Sequence, residues 1–244
     1  MSVLLVIGGA EAKSADGAVL GRFVTLADGG PVAVVTAAAL DPTATYARYE
    51  AVLGTIVDTV HLDIRSRADA DHGAWSAALE KARAVFITGG DQGRFMDAVE
   101  HTAFHQAIMA RVQDGLVVAG TSAGAAVMSL TMIRSGRGCA PMHSDQLVTV
   151  TRGLGLWPHV IVDQHFTQRG RIGRLLEAVS QHPYLMGVGI DEDTAVEVDL
   201  RQRQARVVGT GSVTLATAEP GGQRDFHLTV KLAGDSWAVA PPAA

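Results

Sequence analysis

Short apolar runs of strand character recur through the first half of the chain, each separated from the next by a stretch with helical period. The strand-type runs lie at 3–7, 32–35, 55–62, 84–87 and 116–119, and the helical stretches at 18–27, 43–53, 74–81 and 102–113. This alternation constrains the fold strongly. A strand can reach a parallel neighbour only through a crossover, such crossovers are right-handed, and their helices cover both faces of the sheet. The expectation is an α/β fold with a mainly parallel sheet flanked by helices on both faces. Residues 168–180 read as one more amphipathic helix, with Ile172, Leu175, Leu176 and Val179 on its buried side. The last third changes character. Strand signals at 186–190, 195–198, 205–208, 213–216 and 227–232 are expected to add antiparallel strands to one edge of the sheet. One domain is expected over 1–240, with 241–244 a frayed tail.

Composition narrows the function classes. With 244 residues, 48% of them apolar, the chain can bury a large single core. The net charge of −5 disfavours a nucleic-acid partner on electrostatic grounds. Cys139 is alone, so there is no internal disulfide framework. The first residues lack a basic segment followed by a secretory apolar stretch, and no stretch approaches a membrane span. A cytoplasmic protein with no membrane partner is the default.

In an open parallel sheet, ligands collect at the carboxyl ends of the strands. Four polar or glycine-rich stretches follow apolar runs directly: Gly8-Gly9-Ala10-Glu11, Thr88-Gly89-Gly90-Asp91-Gln92, Gly120-Thr121-Ser122-Ala123-Gly124 and Asp163-Gln164-His165. The third is Gly-x-Ser-x-Gly between a strand and a helical run at 125–130. Flanking glycines tolerate a tight turn that points Ser122 outward, and the helix N-terminus behind it favours negative charge. Taken alone, such a turn also serves as a plain connection. Its position among four strand-end motifs favours catalysis.

A serine needs a base, and the base needs an orienting acid. Among nine histidines His165 stands out, at the end of the run Val160-Ile161-Val162. His101 and His105, four apart, read as solvent-exposed, since no third metal ligand is evident; no metal is expected. His227 reads as structural, and His143, near Cys139, sits in a glycine-bearing loop that nothing requires in a site. For the acid, Asp191-Glu192-Asp193 follows the run at 186–190. Glu192 is the first choice and Asp191 the second, and the residues alone do not separate them. Gly90 and Ala123 are the candidate oxyanion donors, the second being the residue after the nucleophile. Arg169, Arg171 and Arg174 beside His165 are unusual in an acidic chain. Guanidinium forks bind carboxylates, so they point to an acidic substrate, with internal ion pairing as the alternative.

These segments resemble the cyanophycinases, serine peptidases grouped with the aspartyl dipeptidase peptidase E. The likeness rests on Ile7 to Glu11, Thr88 to Gln92, Gly120 to Ala125, Asp163-Gln164-His165-Phe166 with Arg169, Arg171 and Arg174, and Gly189 to Ala195. The arginine-bearing segment points to cyanophycinase within that group. The resemblance implies a fold like the class I glutamine amidotransferases and a Ser–His–Glu triad of Ser122, His165 and Glu192. It implies no cofactor, a homodimer, and release of β-Asp-Arg dipeptides from cyanophycin, a poly-aspartate bearing arginine on each β-carboxyl. By the same mapping Gln92, Asp163, Gln164, Arg169, Arg171 and Arg174 line the substrate groove. Val35-Thr36-Ala37-Ala38 departs from the Pro-Thr-Ala-Ser pattern expected there, a change that bears on substrate fit.

The runner-up is a peptidase E-like dipeptidase acting on short Asp-containing peptides. An α/β-hydrolase esterase would place its acid before its histidine, whereas His165 precedes Glu192. A binding protein without turnover would be expected to have lost a triad member. Dinucleotide binding would need Gly-x-Gly-x-x-Gly, which Gly8-Gly9-Ala10-Glu11 is not.

Overall fold

The computed structural model describes residues 2–136, 148–219 and 225–239. Cys139, His143 and the tail at 241–244 lie outside the described residues.

Strands β1 (Val3–Ile7), β2 (Val32–Val35), β3 (Thr59–Leu62), β4 (Ala84–Ile87) and β5 (Val117–Thr121) pair in parallel in the order β3-β2-β4-β5-β1. Helices α1 (Ala18–Ala27), α2 (Pro42–Leu53), α3 (Arg67–His72), α4 (Ser76–Lys81), α5 (Gln92–Val99) and α6 (Ala103–Gln113) connect them. The central strands are wholly buried, because helices pack on both faces. Leu4, Val6, Val85, Ile87 and Val118 join one core, and Leu5, Ile7, Ala84, Phe86 and Ala119 join the other with Phe23 and Tyr49. That alternation is the period of two of a strand buried on both sides.

Beyond β5 a one-turn helix α7 (Ala123–Ala126) leads to the hairpin β6 (Thr131–Gly136) and β7 (Val148–Arg152). Then follow β8 (Val160–Gln164), helix α8 (Ile172–Gln181), β9 (Met186–Ile190), β10 (Thr194–Asp199), β11 (Gln204–Gly209), β12 (Ser212–Ala218), β13 (Phe226–Leu232) and β14 (Ser236–Ala238). The large parallel sheet and the extra antiparallel strands of the last third are as the sequence predicts, with one difference. Among the described residues only β10, β11 and β14 extend the large sheet beyond β1. Strands β8, β9, β12 and β13 form a second sheet of four strands. Strand period reports burial and not partners, so it could not divide the strands between two sheets. The glycines of β9 carry the missing information. A Cβ at Gly187 would press on Leu175 and Val179 of α8, and one at Gly189 on the Phe166 ring. Bare backbone therefore lets α8 and the chain after β8 pack tightly on β9.

Four local boundaries also differ. The helix expected over 168–180 starts only at Ile172, which is exposed rather than buried, because a tight turn at Thr167–Arg169 precedes it. Residues 55–58 are not strand, because the Ile56 and Val57 amides still bond back to Leu53 at the end of α2. Of the stretch at 74–81 only α4 is helical, and a separate short helix, α3, capped by Ser66 and ended at left-handed Gly73, precedes it. The helix after Ser122 stops at Ala126.

Candidate active site

The ends of β1, β5 and β4 lie side by side in the sheet, which brings Gly8-Gly9, Ser122 and Gly89-Gly90 to one edge. The second sheet docks at the same edge. The His165 N–H donates to the Gly8 carbonyl at 2.7 Å, and the Asp193 N–H to the Gly9 carbonyl at 2.9 Å. The chain segments after β8 and β9 are thus held against the segment after β1.

Ser122 adopts φ 53° and ψ −111°, a sparsely populated conformation for a residue with a side chain. Its backbone is fixed from both sides: its N–H donates to the Ile7 carbonyl, and its own carbonyl accepts from Ala125 and Ala126. Ala10, His165 and Asp193 also have positive φ, so four of the seven such non-glycine residues among the described residues gather here. Gly9, at φ +103°, explains part of the crowding. A Cβ on it would overlap the His165 imidazole, so only glycine lets the ring reach Ser122.

The Ser122 hydroxyl donates to Nε2 of His165 over 3.0 Å, and Nδ1–H of His165 donates to Oε1 of Glu192 over 2.6 Å. An ionised carboxylate only accepts, so Glu192 places the ring proton on Nδ1 and leaves the Nε2 lone pair toward the serine. Burial lowers the His165 pKa. The bond to Glu192 works the other way, and the nearby Arg169 and Arg171 charges reinforce the lowering. The imidazole is therefore neutral at pH 7 and ready to accept a proton. Asp191 faces a different task. Its Oδ1 accepts from the Thr167 N–H and hydroxyl and its Oδ2 from the Ser212 N–H and hydroxyl. Burial opposes its charge, but those four donors outweigh it and hold the carboxyl below its usual range. Of the two acids left open by the sequence, Glu192 is the one that meets the imidazole.

The amides of Gly90 and Ala123 have no acceptor among the described residues. Gln164 lies beside Ser122, with Oε1 at 3.5 Å from Ser122 Oγ. It is oriented by Arg171, whose Nη1 donates to the Gln164 Oε1 at 2.8 Å and also to the Gln164 main-chain carbonyl. Burial brings the Arg171 pKa down to about 10, still charged at neutral pH. Beneath them Arg174 and Asp163 form a two-point ion pair, Nε to Oδ2 at 2.6 Å and Nη2 to Oδ1, with the two residues 5% and 1% exposed. These two charges neutralise each other inside the protein, as the internal-pairing alternative expects, while Arg169 remains exposed. Gln92 begins α5 and donates from its side-chain amide to the Ile133 and Arg134 carbonyls of β6. Away from the site, both ring nitrogens of His105 bond main-chain groups, Nδ1 accepting from His101 N–H and Nε2 bonding the Leu154 carbonyl.

One residue of the site escaped the sequence reading. Glu11 is 2% exposed, and its carboxylate accepts from Tyr49 Oη at 2.7 Å, Lys13 Nζ at 2.7 Å and Thr121 Oγ1 at 2.6 Å. An acid in the short glycine-bearing segment after a fully apolar strand was the available signal, since a charge so placed is buried only with partners.

Residues 31–206 match the profile of Peptidase family S51. The chain belongs to that family. By this membership it is a serine peptidase. A cyanophycinase of Geminocystis herdmanii (strain PCC 6308) is 40% identical, over 89% of this chain and 81% of that protein. One of Nostoc sp. (strain PCC 7120 / SAG 25.82 / UTEX 2576) is 41% identical, over 94% and 80%. Among solved structures, a peptidase from an acI-B1 Actinobacterium superposes with a TM-score of 0.76 at 21% identity, covering 98% of this chain and 97% of that one. A putative peptidase E protein from Listeria monocytogenes EGD-e gives 0.61 at 15% identity, covering 86% and 100%. At those identities the structures speak for the fold alone. No helix among the described residues is long and apolar enough to cross a membrane.

Proposed function

We propose that this S51 peptidase is a serine exopeptidase that hydrolyses cyanophycin to β-Asp-Arg dipeptides. The observation that carries the reading is the hydrogen-bonded row Ser122–His165–Glu192, beside which the Gly90 and Ala123 amides have no acceptor among the described residues. Chains about 40% identical that are named cyanophycinases favour this substrate over short Asp-containing peptides. A homodimer in the cytoplasm is part of the same proposal.

The chemistry follows from the row. His165 Nε2 takes the Ser122 proton as Oγ bonds to a main-chain aspartyl carbonyl carbon, and the Gly90 and Ala123 amides hold the oxyanion. Nε2–H then protonates the leaving amine as the C–N bond breaks. In the second half water gives a proton to His165 and attacks the acyl carbon, and Ser122 leaves with that proton. Glu192 stabilises the imidazolium throughout. Gln164, Arg171 and the exposed Arg169 serve as substrate contacts. Asp163, paired with Arg174, holds Gln164 and Arg171 through its carboxylate, and Gln92 ties α5 to β6. Purified protein incubated with cyanophycin is expected to yield β-Asp-Arg by mass spectrometry. No dipeptide, under conditions where an active control produces it, rejects the substrate.

The base acts in its neutral form, and its lowered pKa keeps it neutral further into acid. The acidic limb of kcat/KM is therefore expected below the ordinary imidazole value of about 6.5. Arg169→Gln removes one of the charges that lower it, so the limb should move to higher pH. A limb that stays in place in R169Q rejects this electrostatic account of the base.

A further inference from the structure

Next to the nucleophile and its Gly90 amide lies a cleft whose side chains the proposed mechanism does not use. A cleft of about 420 Å³ opens between Lys13, Leu40, Asp41, Arg48, Tyr49 and Gly89. It adjoins the reacting hydroxyl, for a Cβ on Gly89 would stand 3.3 Å from Ser122 Cβ and 3.8 Å from Oγ. One wall continues the segment at 35–38 that departs from the cyanophycinase pattern.

The cleft is tied to the nucleophile by charge. Lys13 Nζ lies 2.7 Å from Glu11 Oε1 and 4.9 Å from the centre of the Tyr49 ring. The other Glu11 oxygen accepts from Thr121, the residue before Ser122. A buried carboxylate thus fixes where the ammonium stands relative to the reacting hydroxyl. An ammonium has three protons, and the acceptors of Lys13 among the described residues are the Glu11 carboxylate and the Glu11 carbonyl. Arg48 bonds the Ala44 carbonyl and Thr45 Oγ1 and has no carboxylate partner among the described residues. Asp41 caps α2 through Oδ1, which accepts from Ala44 N–H, while Oδ2 has no hydrogen-bond partner among the described residues, although the exposed Arg65 charge lies near enough to feel it. Leu40, 87% exposed, leaves a large apolar side chain at the rim.

Two cations, one carboxylate and an apolar wall suit a flexible arm that carries an anion and a cation several methylenes apart. A plain aspartyl peptide would use only the cationic half. We propose that this cleft is the subsite for the arginyl arm of the substrate unit at the scissile bond. Its α-carboxylate meets Lys13 and Arg48, its guanidinium meets Asp41, and its stem lies along Tyr49 and Leu40. The assignment rests on cyanophycin being the substrate.

Three poly-aspartates test it: one with arginine arms, one with agmatine arms, which lack only the carboxylate, and one with citrulline arms, which lack only the charge of the guanidinium. The wild type should favour arginine over agmatine arms by about tenfold or more in kcat/KM, the worth of one charged hydrogen bond. Lys13→Met and Arg48→Leu should each shrink that preference through KM with kcat nearly kept. Arg48 is exposed on α2, so R48L guards against a folding defect in K13M. Asp41→Asn, which can still cap the helix, should shrink the preference for arginine over citrulline. Full wild-type preferences in all three variants overturn the cleft assignment. A wild type that cleaves none of the polymers overturns the substrate reading itself, and the two failures are distinct.

Discussion

Ser122→Ala is expected to abolish turnover while leaving the protein folded. In the proposed mechanism Ser122, His165 and Glu192 work as one unit, and removing the serine of such a unit costs on the order of 10⁶-fold in kcat in a well-studied serine protease. What remains is the contribution of the oxyanion amides and of binding. His165→Ala should cost about as much by itself, and the double variant little more than either single one, because the second loss finds nothing left to disable. Folding should survive in S122A because the Ser122 backbone, held by Ile7, Ala125 and Ala126, is untouched by losing Oγ. Alanine also keeps the Cβ that sits beside Gly89. Turnover of the single variants, measured with a circular dichroism melt as control, decides the matter. An S122A protein that melts like the wild type and retains more than a hundredth of its activity would exclude Ser122 as the nucleophile.

Much of this site was legible in the sequence because its parts sit at strand ends. An apolar run that stops at glycine or a polar residue marks both the end of a strand and the rim of a parallel sheet. Ser122, His165 and Gly90 could be named in that way. What periodicity cannot supply is which strand ends are neighbours. The meeting of β8 and β9 with the end of β1 depends on a second sheet that strand period did not reveal. Asp191 and Glu192 were inseparable for a related reason: adjacent residues in a turn can each face either way. The structure divides them by what surrounds each, the Thr167 and Ser212 donors for one and the imidazole for the other. Hairpin β6–β7 and helix α5 were not foreseen. The signal for α5 was present in Asp91, whose side chain caps its first turn by accepting from Arg94 N–H, but it lay inside a motif read for its glycines.

The largest loss of stability is expected from Arg174→Met. Arg174 and Asp163 are both buried, joined by two charged hydrogen bonds, and Arg174 Nη1 also donates to the Gly136 carbonyl. Removing the guanidinium strands a carboxylate that is 1% exposed. Its remaining donors are the Gln164 N–H at 2.9 Å and Arg171 at 3.3 Å. Breaking one side of a buried pair costs about 3–5 kcal/mol, most of it the penalty of the charge left behind. Asp163→Leu strands the arginine instead and should cost a similar amount. In D163L/R174M neither charge remains, so the double variant should be more stable than the sum of the two single losses predicts. Urea denaturation of the four proteins gives that coupling directly, provided the m-values agree. Additive losses would mean that the two residues stabilise the protein through separate contacts. A strong coupling together with low activity in R174M would place this pair as the support on which Gln164, Arg171 and, one residue further on, His165 are held against Ser122.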